Sequence, residues 1–270
     1  MVKMASIVPQ NYLDFIDEAD IHMALACFVG EPGYERYTHF FKELRKPDSF
    51  LIMDNGVIEG NPMSFEECVR RADIIHADEI ILPDVYKDNR ATYNAVKEAI
   101  TYYIQNDMFD HKFRLMVVPQ GNSMEDWLDC AENILTSFGA YIATVGIPKH
   151  LIDTCNERDG RLIAISNLWE RVPNLNEWDL HLLGCWKTPL EVLVCNKASE
   201  QGIIPTIRSC DSAIPYVYAR HNIRFSDDDR PDYDPIDFKQ GKCSEIYLAY
   251  NIAAWNSIGD PNCERGIYFL

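Results

Sequence analysis

The feature that most constrains this chain is a regular alternation of short apolar runs with longer segments of helical spacing. Eight runs rich in β-branched and other apolar residues alternate with amphipathic segments along the sequence. Such alternation is typical of parallel strands joined by crossover helices. A chain of 270 residues with eight units of this kind predicts an α/β fold, a single (β/α)8 TIM barrel over residues 1–270.

The hydrophobic patterns also give approximate bounds for each element. The strands are predicted at residues 4–8, 21–29, 50–54, 79–82, 115–120, 141–145, 180–183 and 203–207. The helices are predicted at residues 11–19, 34–44, 65–76, 91–105, 125–138, 149–156, 161–171, 190–201 and 244–255. Ser64 with Glu67 three residues later resembles a capping box, and Ser123 is predicted to cap the helix that follows it.

Polar or glycine-containing tips follow six of the apolar runs. They read DNGV (54–57), LPD (82–84), VPQG (118–121), ATVGIP (143–148), HLLGC (181–185) and SCDSAIP (209–215). Catalytic side chains of α/β barrels gather at the carboxyl ends of the strands, so these tips are predicted to surround one cavity. A Gln-Gly or Pro-Asp tip taken alone is usually ordinary turn chemistry, and Asp211 alone would suit a helix cap, whereas the ordered set favours a functional site.

The ordered set of tips resembles the tRNA-guanine transglycosylase superfamily. The corresponding strand ends of that family read roughly D-S-G-G, an Asp-bearing tip, V-Q-G, an apolar run ending V-G, L-M-G-V-G and F-D-C-x-x-P-T-R, and the resemblance covers about residues 49–220. It departs at Val57, where the family has a second glycine, and at Tyr216 and Val217, where it has Thr-Arg. The zinc site of the tRNA enzymes has no counterpart in the sequence. The resemblance is therefore closest to the phage and bacterial enzymes that insert 7-deazaguanines into DNA.

The resemblance implies a base exchange in which guanine in DNA is replaced by a free 7-deazaguanine base, without a cofactor. Asp211 matches the family's nucleophile, which binds C1′ of the sugar covalently, and Asp54 matches its general acid/base. The residues expected to recognise the base or shape its pocket are Asp84, Gln120, Gly146, Asn55 and Gly56. A guanine inside a duplex would have to be flipped out of the stack to reach them.

Charge places a limit on how nucleic acid could bind. The net charge of −17 argues against a surface that grips nucleic acid nonspecifically. Several basic residues nevertheless follow predicted strand ends and could form a basic rim: Lys87, Arg90, Lys149, Lys187, Arg208, Arg220, His221 and Arg224. The predicted phosphate contacts among them are Arg220, His221, Arg224 and Lys187. The Asp- and Pro-rich segment 226–237 is predicted to be a loop on the same face.

Cysteine usage and hydropathy indicate the compartment. The nine cysteines include no C-x-x-C motif and no Cys/His cluster at zinc spacing, so reduced thiols and no metal are expected. Cys210 could instead be a nucleophile, but the sequence identifies no histidine base for it. No apolar run approaches the ~18 residues of a membrane span, and the N-terminus lacks a secretory signal. We expect a cytoplasmic protein, in the host cytoplasm if phage-encoded.

Other functions fit parts of the same sequence. One is a tRNA-guanine transglycosylase that lacks the zinc module and acts on tRNA. Another is a metal-dependent barrel hydrolase that uses Asp54, Asp84 and Asp211 with a histidine, and a third is a non-catalytic barrel that binds nucleic acid. The sequence leaves open which 7-deazaguanine is inserted, the target sequence and the oligomeric state.

Overall fold

A computed structural model describes residues 2–57, 60, 62–106, 108, 113–155, 159–185, 189–227, 230–232 and 234–258. Its strands are β1 (Lys3–Ser6), β2 (Ile21–Leu25), β3 (Phe50–Asp54), β4 (Glu79–Ile81), β5 (Arg114–Val117), β6 (Thr144–Pro148), β7 (Asp179–Leu183) and β8 (Ile207–Ser212). They form one parallel sheet in the order β1-β8-β7-β6-β5-β4-β3-β2. Because β1 and β2 also lie side by side, the sheet is a nearly closed barrel. The predicted (β/α)8 TIM-barrel fold is confirmed.

The helices surround this sheet. The α-helices of the described residues are α1 (Glu35–His39), α2 (Phe65–Ile75), α3 (Asn89–Gln105), α4 (Met124–Phe138), α5 (Leu151–Cys155), α6 (Gly160–Arg171), α7 (Leu190–Glu200), α8 (Ile214–Arg220) and α9 (Glu245–Ile258). Short 3-10 helices lie at Gln10–Phe15, Ala26–Phe28, Gly139–Tyr141 and Leu175–Glu177, and a π-helical turn at Phe40–Leu44 extends α1. As predicted, Ser64 caps α2 and Ser123 caps α4, each accepting a backbone N–H at 3.2 Å.

The largest difference from the predicted elements concerns the last strand, which was expected at residues 203–207. The structure begins β8 at Ile207, where that prediction ends. Pro205 lies inside the predicted run, and a proline has no N–H to donate to a central ladder, so pairing starts beyond it. Asp211 consequently lies within the strand, near its carboxyl end, instead of in the loop that follows.

Two apolar layers hold the barrel together. The larger cluster packs the outer face of the sheet against the helices and includes Trp127 and Trp255, both fully buried. A smaller cluster fills the barrel interior with side chains such as Met23, Ile52 and Met116. Side chains of successive strand residues point to opposite faces, which is why each strand contributes to both layers.

A buried ionic network closes the amino-terminal end of the barrel. The carboxylate of Glu79, which has no exposed surface, accepts hydrogen bonds from Arg208 at 2.6 and 3.1 Å and from Thr144 Oγ1 at 2.5 Å. Arg114 adds an ion pair to Glu79 at 3.4 Å. The sequence analysis placed Arg208 on the basic rim at the opposite end of the barrel, and this was wrong because Arg208 is the second residue of β8 instead of following the strand.

The segments at the C-terminal side agree with their predicted type. The described residues of 226–237 belong to neither helix nor strand, and the helix expected at 244–255 is α9. Throughout the described ranges, no helix combines the length and the apolar character needed to span a membrane.

Candidate active site

A cavity of about 430 Å³ opens at the carboxyl end of the barrel. This is the face where TIM-barrel enzymes place their reactive side chains. Apolar residues of the barrel interior, such as Met23, Ile81 and Val118, form its floor. Polar side chains line the rest, and they include Asp54, Asn55, Asp84, Gln120, Lys149, His150, Asp153 and Asp211. The structure thus brings the three carboxylates at 54, 84 and 211 to one cavity.

Asp211 is held in a fixed orientation by its neighbour strand. The residue is 5% exposed, and its Oδ1 lies 3.0 Å from Nε2 of His181. The same oxygen accepts the backbone N–H of Gly184 at 3.2 Å. His181 belongs to β7, which pairs with β8 in parallel, and Gly184 is the residue that follows β7. Two donors on one oxygen fix the plane of the carboxylate at the cavity wall.

Asp84 forms a polar cluster with Asn55 and Gln120. Its Oδ1 accepts from Asn55 Nδ2 at 2.8 Å, and its Oδ2 accepts from Gln120 Nε2 at 2.5 Å. Gln120 Oε1 in turn accepts the backbone N–H of Lys87 at 3.1 Å, which fixes the orientation of the amide. Burial raises the pKa of the Asp84 carboxyl above its usual range, although the two amide donors act to lower it. Each carboxylate oxygen keeps capacity for a further donor from the cavity.

Asp54, Asn55 and Gly56 form a tight turn at the end of β3. Asp54 Oδ2 accepts the backbone N–H of Gly56 at 3.0 Å, and Asn55 Oδ1 accepts that of Val57 at 3.2 Å. Gly56 has a φ of 78°, in the left-handed region that glycine adopts without a steric penalty. Asp54 and Asn55 line the cavity, whereas Gly56 is buried in the turn that presents them.

Gly146 lies deeper than the other predicted base-binding residues. It belongs to β6 and packs in the barrel interior, where an added Cβ would lie 2.8 Å from Leu183, 3.0 Å from Val118 and 3.2 Å from Met116. The part of this segment that lines the cavity is Pro148 with Lys149. The absence of a side chain at 146 therefore serves the packing beneath the cavity.

Three of the four predicted phosphate contacts, Arg220, His221 and Arg224, are not among the residues that line the cavity and are engaged with the protein. Arg220 donates to Asp234 at 2.8 Å and to the carbonyl of Pro235 at 3.0 Å, and His221 lies 3.8 Å from the same Asp234. Arg224 lies over the rings of Tyr247 and Tyr250, at 5.7 and 5.6 Å from their centroids. Lys187 lies outside the described residues. Residues of the Asp- and Pro-rich segment 226–237 thus bind two of these basic residues, Arg220 and His221.

Two histidines at the site were not identified as functional by sequence reasoning. His181 was quoted only as part of a strand tip, yet a polar residue at an interior-facing strand position is a signal that could have marked it. His150 follows β6 and lines the cavity, with its ring 5.2 Å from that of Tyr86. Burial, together with the charge of Lys87, lowers the pKa of His150 to about 4, so this ring is neutral at pH 7.

Cys210, the alternative nucleophile, is not among the residues that line the cavity. It has no exposed surface, and its Sγ lies 3.8 Å from Sγ of Cys185. Burial raises the pKa of the Cys210 thiol well above its usual value, which disfavours the thiolate that a nucleophile needs. His181, on the neighbouring strand β7, contacts Asp211 and Ser209 instead.

The cavity combines carboxylate acceptors with an apolar floor. Four aspartates line it, whereas its lining contains one lysine and no arginine within the described ranges. Such a site suits a flat, partly apolar ligand rich in N–H donors better than it suits a phosphate. Across the described residues, no three His, Cys, Asp or Glu side chains form a group that could hold a metal ion.

Comparisons with known proteins add no relative to this picture. No protein-family model matches the chain, and no curated protein matches it. A proposal for its function therefore depends on the barrel, on the cavity and on the chemistry of the residues that line it.

Proposed function

We propose that the protein is a base-exchange transglycosylase that replaces guanine in DNA with a 7-deazaguanine base through a covalent bond between Asp211 and C1′. One observation carries the proposal: the ends of β3, β4 and β8 bring Asp54, Asp84 and Asp211, far apart in sequence, to a single cavity of about 430 Å³. A purine on a sugar offers the N–H donors, the flat ring and the oxocarbenium-like transition state that such a set of carboxylates suits.

In the first step, a carboxylate oxygen of Asp211 bonds to C1′ as the bond between C1′ and N9 of guanine breaks. The electron pair of that bond leaves with the base, which takes up a proton. In the second step, the nitrogen of the incoming 7-deazaguanine loses its proton and attacks C1′, and Asp211 is released as a carboxylate. Because both attacks occur at C1′, two inversions retain the configuration of the sugar.

Asp54 is the proposed acid and base in both steps. It stands at the end of β3 on the cavity wall, held by the backbone N–H of Gly56 through one oxygen. It gives a proton to the departing guanine and takes the proton of the incoming base. A carboxyl group that exchanges one proton between two similar ring nitrogens needs no net change of charge over the cycle.

Asp84 and Gln120 are the proposed recognition pair for the base. An ionised Asp84 can accept from the ring N–H and from the exocyclic amine of a guanine-like edge. Gln120 Nε2 gives one of its two protons to Asp84, which leaves the second for the carbonyl of the base. The orientation of the amide is set by the bond from Lys87, so this donor is in place before the base binds.

DNA is the proposed carrier of the exchanged guanine, and the unpaired or flipped nucleotide is the form that fits. A paired guanine cannot enter a cavity at the centre of a barrel face, and extruding it costs about a few kcal/mol. Lys149 lines the cavity, and Lys87 Nζ lies 5.3 Å from the ring centroid of Tyr86 at its edge, whereas Arg220 is paired with Asp234.

Incorporation of labelled base tests the proposal. The protein is incubated with isotopically labelled guanine and either single-stranded DNA or tRNA, and label in the recovered nucleic acid is counted. We expect label in DNA for the natural protein, none for Asp211→Asn, and label for Asp153→Asn, a matched change of a second carboxylate in the cavity. Label in tRNA alone would move the proposal to the tRNA enzymes. No label in either nucleic acid, with both guanine and 7-deazaguanines as the free base, would refute base exchange.

A further inference from the structure

A β-bulge in β8 allows several polar side chains to form a hydrogen-bonded series that ends at Asp211. Between β7 and β8 the register shifts, so that Leu180 pairs with Ile207 while His181 pairs with Ser209. Arg208 is the extra residue of this bulge. A bulge redirects a side chain that regular alternation would place on the opposite face. Arg208 and Ser209 can therefore contact each other although they are neighbours in one strand.

The side chains connect the ionic network at the amino-terminal end to the cavity. Arg208 Nε donates to Ser209 Oγ at 3.1 Å, Ser209 Oγ lies 2.7 Å from His181 Nδ1, and His181 Nε2 lies 3.0 Å from Asp211 Oδ1. Ser209 and His181 have no exposed surface. The other guanidinium nitrogens of Arg208 bond to Glu79 and Thr144, which fixes the first member of this hydrogen-bonded series.

Only one placement of protons gives each buried donor an acceptor in the series Arg208–Ser209–His181–Asp211. Arg208 can only donate, so Ser209 Oγ accepts from it. Among the described partners of Ser209 Oγ, the hydroxyl proton has one acceptor, Nδ1 of His181, which must then be unprotonated. Nε2 carries the ring proton and donates it to Asp211. A doubly protonated ring would leave the Ser209 hydroxyl proton buried without an acceptor, at a cost of about 1–3 kcal/mol.

We propose that Arg208 and Ser209 hold His181 as the neutral tautomer with its proton on Nε2, and that His181 thereby positions Asp211 so that Oδ2 is the oxygen that reacts. Among the described residues, the two donors to Asp211, His181 and the Gly184 N–H, both bond to Oδ1, and none bonds to Oδ2. The assignment of Oδ2 as the reacting oxygen rests on the proposed base exchange, whereas the tautomer of His181 does not depend on it. His181 is thus a positioning residue and makes no bond to substrate.

The tautomer is measurable without any substrate. In protein labelled with ¹⁵N-histidine, the signals of His181 are identified among the seven histidines by their loss in His181→Gln. At neutral pH we expect Nδ1 to resonate as an unprotonated ring nitrogen and Nε2 as a protonated one. Ser209→Ala removes the donor to Nδ1, and we expect a mixture of tautomers. Ser6→Ala is the matched control, because it removes a buried hydroxyl on the adjacent strand β1 that has no hydrogen-bond partner among the described residues.

A ring protonated on Nδ1, or on both nitrogens, in the natural protein would overturn the inference. So would a Ser209→Ala spectrum identical to that of the Ser6→Ala protein. Neither result depends on the activity, so failure of the base-exchange proposal is distinguishable from failure of this one.

The positioning role is tested by the rate of reaction at C1′. His181→Leu removes the donor, and we expect the single-turnover rate of base release to fall about 100-fold with the KM for the free base within about twofold. His181→Gln can still donate through its amide and should recover most of the loss. Equal losses in the two variants, or a loss that appears only in KM, would show that His181 acts in packing alone.

Discussion

Replacing Glu191 by leucine would leave the guanidinium of Arg161 charged and unpaired in the protein interior. Arg161 has no exposed surface and lies 2.7 Å from Glu191, whose side chain is 7% exposed. Burial acts to lower the pKa of Arg161, but the charge and hydrogen bond of Glu191 outweigh it, and the net pKa is raised. Arg161 also donates to the carbonyl of Gly184 at 2.9 Å, the residue whose N–H holds Asp211.

The expected magnitude follows from the burial of the pair. Removing one partner of a buried ion pair costs about 3–5 kcal/mol of unfolding free energy. For a chain of this size that corresponds to a decrease in Tm of roughly 6–20 °C. The pair itself is incompletely satisfied, since Arg161 Nε and Glu191 Oε1 are buried and find no hydrogen-bond partner in the part of the chain that the structure describes. Replacing both residues, as Arg161→Met with Glu191→Leu, should therefore cost less than Glu191→Leu alone, despite the carbonyls that lose a donor.

Urea denaturation of the natural protein, both single variants and the double variant gives the coupling free energy directly. We expect a coupling of at least about 1 kcal/mol, with the double variant more stable than Glu191→Leu. A Glu191→Leu protein within about 1 kcal/mol of the natural one, or single effects that simply add, would refute the reasoning that the charge of Arg161 requires Glu191.

Three further predictions concern single residues. Guanine affinity, measured by calorimetry, should fall as the pH is lowered through the raised pKa of Asp84, and Asp84→Asn should bind weakly at every pH. Because burial lowers the pKa of His22 from 6.5 to about 4, the unfolded chain binds the extra proton between these values. Stability should therefore fall by up to ~3 kcal/mol as the pH drops from 6.5 to 4, and His22→Phe should flatten this dependence in denaturant titrations. Gly146→Ala should lower the free energy of unfolding by about 1–3 kcal/mol through overpacking, with a normal affinity for guanine; a stable Gly146→Ala protein that binds no guanine would place Gly146 in the base site.

The element order and the strand tips were accessible from the sequence because they depend on local patterns. Apolar runs followed by amphipathic segments require crossover connections, and parallel strands must then end at one face. Those two steps suffice to bring Asp54, Asp84 and Asp211 together. β3 was predicted with its observed bounds, Phe50–Asp54, because its apolar run is sharply limited by polar residues on both sides.

Features that depend on register were not accessible. The bulge at Arg208 leaves no mark in the hydrophobic pattern. Arg208 was placed at the wrong end of the barrel because the last strand was expected to end at residue 207, where β8 begins. The contact of His181 with Asp211 requires the alignment of two strands separated by about 30 residues, which no local pattern fixes. Gly146 could be recognised as a special position, but only the neighbouring side chains of β5 and β7 show that it lies beneath the cavity.

Mass spectrometry of a trapped covalent complex tests the central proposal most directly. The protein is incubated with guanine-containing DNA, denatured during turnover and digested, and the peptide that carries the nucleotide is sequenced. The proposal predicts a sugar attached to Asp211, with no adduct in Asp211→Asn and an unchanged one in Asp153→Asn. An adduct on another residue, or base exchange that proceeds in Asp211→Asn, would contradict it.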